Sequence, residues 1–124
     1  MHFNRVRVSS RTQGLLSILK TRTGLTPNIT SRFAICLSLR EPSIPNADEF
    51  DEKGMELHPA ILFGEYERFF LALILDRLHR DKLDPQVYLH RQLRAHLNRG
   101  VYSLFPRIHD LSDFYELVRS ERQA

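Results

Sequence analysis

Cysteine, histidine and the basic side chains are where this sequence can hold chemistry. Cys36 is its one cysteine. A reactive cysteine needs an exposed thiolate of low pKa. Cys36 instead shares a helical face with Phe33 and Leu37, so packing in the core is expected. The histidines are His2, His58, His79, His90, His96 and His109. His90 and His96 are six positions apart, about 600° around a helix, and do not form a helical metal pair. There is no P-loop, no Gly-x-Gly-x-x-Gly, no His-Glu-x-x-His and no paired-cysteine pattern. Glycine occurs only at 14, 24, 54, 64 and 100, too sparsely to cradle a nucleotide. Catalysis, a metal and a cofactor are therefore not expected.

The charges are better organised. Residues 1–40 hold Arg5, Arg7, Arg11, Lys20, Arg22, Arg32 and Arg40 and no acid. Residues 41–67 hold Glu41, Asp48, Glu49, Asp51, Glu52, Glu56, Glu65 and Glu67 against Lys53 alone. The remainder is mildly basic, and the whole chain carries +3. An acid-free basic third points to a polyanion, DNA or RNA. Its bland counterpart is a surface balanced in space by the acidic middle. The candidate DNA-binding residues are Arg5, Arg7, Lys20, Arg22, Thr26, Asn28 and Arg32. Basic side chains reward a duplex by counterion release, and backbone contacts do not read sequence.

These residues depend on elements that local patterns mark. Residues 3–8 alternate, with Val6 and Val8 on one side and Arg5 and Arg7 on the other, which predicts a short strand. Ser9 or Ser10 caps a helix over about 11–21, with Leu15, Leu16 and Leu19 inward. Gly24 ends it. Thr26 then starts a helix with Pro27 at its first position, Ile29, Phe33, Cys36 and Leu37 as its apolar face, and Arg40 at its end. The free amides of that start suit a phosphate as well as a plain cap.

Residues 41–60, rich in proline and acid, read as a loop or mobile segment, a solvated surface or an acidic arm. About 63–79 is the strongest helix. Tyr66, Phe69, Phe70, Leu73, Ile74 and Leu78 form a broad face, with Leu71, Ala72 and Leu75 spilling round it. That excess predicts a subunit interface, or a central core helix. Asp84-Pro85 opens a helix to about Asn98, with Leu89, Leu93 and Leu97 inward and Gly100 as its end. A short last helix carries Leu111, Phe114, Tyr115 and Val118 inward, and the tail Arg119–Ala124 frays.

The expected fold is mainly α, four to five helices with a short N-terminal strand, and its N-terminal half is ribbon-helix-helix-like. In a true ribbon-helix-helix protein, strands from two chains pair and enter the major groove. Arg5 and Arg7 would then face the DNA.

Thr-Gly-Leu-Thr-Pro-Asn-Ile at 23–29, preceded by Leu-x-x-Leu-Lys and followed by an Arg-x-Ala-x-x-x-Ser-Leu pattern, resembles the DNA sulfur modification protein DndE family. Phe-Gly-Glu at 63–65 and Arg-Ala-His-Leu-Asn-Arg-Gly at 94–100 resemble it too. The likeness runs from about Asn4 to about Val118. It implies a small non-catalytic protein that accompanies the enzymes placing sulfur in the DNA backbone. It also implies binding of duplex and nicked DNA as a homo-oligomer, with a tetramer expected.

At 124 residues the chain reads as one domain, 1–124. No apolar run reaches the ~18 residues of a membrane helix. A lone cysteine and no signal peptide fit the cytoplasm. The runner-up functions are a ribbon-helix-helix repressor and an adaptor docking a modification enzyme.

Overall fold

The computed structural model describes residues 1–123. Five helices of thirteen residues or more are α1 (Ser10–Thr23), α2 (Pro27–Leu39), α4 (Glu67–Arg80), α5 (Pro85–Leu104) and α6 (Leu111–Gln123). A one-turn helix, α3 (Pro59–Phe63), precedes α4. The strands β1 (Val6–Arg7) and β2 (Glu56–Leu57) pair antiparallel, Val6 with Leu57 and Arg7 with Glu56. The mainly helical fold with its short N-terminal strand is as the sequence predicts. Here the strand pairs with β2 of its own chain.

α5 is the axis of the molecule. Its residues 92–98 are all buried, including the expected Leu93 and Leu97. It does not end at Gly100 but runs on to Leu104. Gly100 instead lets α2 approach: a Cβ there would fall onto the carbonyl oxygen and carbon of Ala34. α2 therefore turns its small residues inward, Thr30, Ser31, Ala34 and Ser38, together with Ile35. The face expected to be inward, Ile29, Phe33, Cys36 and Leu37, is half-buried or exposed. Gly24 ends α1 in the left-handed region at φ 79°.

The ends of α1 behave as local chemistry predicts. Ser9 Oγ accepts from the Thr12 amide, and Leu16 and Leu19 are buried. Asn98 of α5 secures that start, since its Oδ1 accepts from the Ser9 amide at 3.0 Å and from Thr12 Oγ1 at 2.6 Å.

The acidic segment is not a free arm. Arg94 donates to the carbonyls of Ala47, Phe50 and Asp51. Arg77 reaches Leu39 O and Ser43 O, and Arg99 reaches Ser38 O and Ser43 O. Gln92 donates to Pro45 O. Carbonyls in a connection without regular structure need donors when buried, and these side chains supply them. Residues 41–57 thus form a strap laid against α4 and α5.

The helix predicted over 63–79 starts only at Glu67, because Gly64 (φ 54°) ends α3 and a 3-10 turn, Gly64–Tyr66, precedes α4. Phe70, Ile74 and Leu78 are buried, whereas Tyr66 and Phe69 are exposed. In α6, Phe114 and Leu117 face inward, while Leu111, Tyr115 and Val118 are exposed, contrary to expectation. α6 runs to Gln123; Ala124 lies outside the described residues.

Candidate nucleic-acid interface

The last turn of α1 and the first turn of α2 are joined by three residues, 24–26, and carry most of the candidate site. Lys20 is exposed on that last turn and has no ion-pair or hydrogen-bond partner among the described residues. Arg22 donates to Ile108 O at 3.3 Å, and its guanidinium lies 4.8 Å from the Phe105 ring centroid. Thr26 holds the N-cap backbone position of α2, but its hydroxyl makes no capping bond. The first turn contains no acid. Pro27 has no N–H, and the amides of Asn28 and Ile29 find no acceptor among the described residues. Such a start keeps its partial positive charge available to an anion.

The remaining candidates stand elsewhere. Arg5 and Arg7 both approach Glu56, at 3.8 and 3.9 Å, and Arg7 also donates to Gly54 O. Their charge is partly answered within the chain. Arg32 donates to Leu62 O at 2.6 Å and lies over Tyr66, so it secures the end of α3. The structure adds one residue that sequence reasoning missed. Arg107 lies between Phe105 and Ile108, the two residues Arg22 touches, and is exposed. Only a contact spanning 86 positions brings it there, so no local signal could have found it. Asp113 and Glu116 of α6 line a depression with Arg107 and temper its charge.

Cys36 is exposed, not in the core. It lines an apolar groove of about 280 Å³ with Ile29, Arg32, Phe33, Tyr66 and Phe70. That surrounding pushes its thiol pKa up, the opposite of what a sulfur carrier requires. A larger hollow of about 410 Å³ includes His2 and His90. Among the described residues no group of three or more His, Cys, Asp or Glu is placed to hold a metal ion. No helix among them is long and apolar enough to cross a membrane.

The family model of DNA sulphur modification protein DndE matches residues 5–110. The chain belongs to the DndE family. The crystal structure of DndE from Escherichia coli B7A, a protein involved in DNA phosphorothioation modification, is similar at 28% identity and a TM-score of 0.65. The match covers 84% of this chain and 99% of that one. A DndE G21/24K mutant structure shares the fold, at 24% identity and a TM-score of 0.66, with the same coverage of each chain. No curated protein sequence matches. The DndE span ends at Asp110, one residue before α6.

Proposed function

We propose that this DndE-family chain is a non-catalytic DNA-binding subunit of the phosphorothioation machinery. It holds duplex and nicked DNA by the backbone phosphates, as a single 1–124 domain, in the cytoplasm beside the companion enzymes. The observation that carries this reading is the junction of α1 and α2. There an unpaired Lys20 and a stacked Arg22 adjoin an uncapped, acid-free helix start. Thr26 and Asn28 supply hydrogen bonds to the same phosphate, and Arg107 extends the cationic surface. Arg5 and Arg7 contribute only where a phosphate displaces Glu56, and Arg32 acts mainly on the fold.

The test is a salt titration with labelled nicked and intact duplexes. Lys20→Ala, Arg22→Ala and Arg107→Ala together should weaken binding to all sequences alike. The slope of log affinity against log salt should flatten by ~0.9 for each phosphate that is no longer neutralised. A folded triple variant with unchanged affinity and slope would remove this surface from consideration.

The same reading includes a homo-oligomer, a tetramer, assembled through α4. That helix exposes Phe69 at 60% and leaves Leu71, Leu73 and Leu75 half-buried. Large exposed apolar patches mark contact surfaces. Phe69→Glu should lower the mass found by light scattering while keeping the circular dichroism spectrum. An unchanged mass would place the contact elsewhere or show a monomer.

A further inference from the structure

We infer that the groove between α2 and α4 receives an unpaired nucleobase at the end of a DNA strand whose phosphate lies on the α2 start. The inference rests on the DNA reading above and names what the neighbouring surface does. Ile29 belongs to both places. It is the third residue of α2, with a free amide, and its side chain lines the groove. Phe33 follows one turn later, about 6 Å along the axis. An anion site therefore runs directly into an apolar slot, and a nucleotide has that order of parts, a charged phosphate and then a flat, weakly polar base.

The groove walls suit a base. No acid lines it. Its volume of about 280 Å³ admits a base with part of its sugar. Arg32 is fixed by its 2.6 Å bond to Leu62 O, and its guanidinium stands 5.9 Å from the Tyr66 ring centroid. Bases stack on aromatic rings and on arginine planes, without regard to sequence. Tyr66 is 50% exposed, so one part of its ring is open to such a partner. The charge agrees as well, since the acid-free start of α2 adjoins the groove through Ile29, where a phosphate would sit. A base held in a duplex stack cannot enter, so the occupant is the last, unpaired nucleotide of a strand.

The experiment is photo-cross-linking of the full chain with 5-iodouracil placed at a one-nucleotide overhang, at an internal paired position, or in the free deoxynucleotide monophosphate. Cross-linking to Tyr66 from the overhang alone is expected. Tyr66→Ala should weaken binding of the overhang duplex about tenfold, the worth of one stacked base. Binding of a blunt duplex should stay within about twofold, and Tyr66→Phe should retain both. Duplex binding without a Tyr66 cross-link, or equal cross-linking from paired and unpaired positions, overturns the groove assignment and leaves the backbone reading intact. So does a cross-link from the free nucleotide but not from the overhang. A lower mass for Tyr66→Ala in light scattering would make the groove a contact between copies, and also overturns it. Loss of all duplex binding by the parent chain overturns both readings.

Discussion

Gly100→Ala is expected to cost more than about 3 kcal/mol, or to prevent folding. In an exposed helix interior the same change would stabilise by about 1 kcal/mol, because alanine is the better helix former. Here the added Cβ would meet the backbone of Ala34, not the end of a flexible side chain. Backbone in the middle of α2 cannot swing aside, so the two helices must separate. Parting them would loosen the packing of Ala34, Ile35, Leu97 and Val101, all fully buried. Gly14 in α1 is the built-in control, since a Cβ there meets nothing within 4 Å. Gly14→Ala should raise stability by about 0.5–1 kcal/mol. Urea unfolding followed by circular dichroism measures both. A Gly100→Ala midpoint at or above that of the parent would refute the close approach of α2 to α5.

The second large effect is a loss of stability in acid that comes from His96. This imidazole is 1% exposed, and its pKa is pushed down to about 3 by burial, then by Arg77 and Arg99. Its Nδ1 lies 2.8 Å from Ser38 Oγ, which also accepts from Arg99 Nε. The serine oxygen can accept from Arg99 and still either donate to or accept from Nδ1, while Nε2 is buried without a hydrogen-bond partner among the described residues. The sign follows from linkage. Above pH 6.5 neither state binds the proton, and the native state keeps its full stability. Between pH 6.5 and about 3 the unfolded chain is protonated at this position and the folded chain is not. Stability therefore falls as pH falls, by about 1.4 kcal/mol per pH unit, or ~3 kcal/mol by pH 4. Asp51 and Asp110, whose pKa values are lowered by hydrogen bonds, act in the same direction but only below the usual carboxylate range. His96→Asn keeps a side chain that can donate to or accept from Ser38 and removes the titration. Its stability should be nearly flat from pH 6.5 to 5, where the parent already declines. Equal slopes in that window would show that another group titrates.

Three kinds of element end were legible because they are settled locally. Ser9, Asp84-Pro85 and Gly24 act within a few residues of themselves, and each stands where its chemistry predicts. The face that α2 buries was not legible. Its more apolar side points outward, and the small side is chosen by Gly100, far along the chain. The same limit applies to Arg77 and Arg94. They are buried because carbonyls at the end of α2 and along the strap need donors, and nothing near either arginine in sequence announces that. In the candidate site, Lys20 and Arg22 were visible from charge alone. The pairing of Glu56 with Arg5 and Arg7 comes from the β1–β2 register, and the position of Arg107 from a fold-wide contact.

The pairing of α2 with α5 also bears on how the chain acquires its structure during synthesis. Ala34 and Gly100 are about sixty-five positions apart, so the central helix pair closes a long loop. Closing it costs roughly 1.7 kcal/mol more entropy than closing a ten-residue loop. Contacts that distant slow folding compared with a bundle of sequential hairpins. A nascent chain carrying only α1 and α2 has no large apolar partner for the small-residue face of α2. Those two helices must wait for the second half of the polypeptide. Until Gly100 and Val101 have emerged, the basic end of α1 is attached to a segment that has not yet found its native partner.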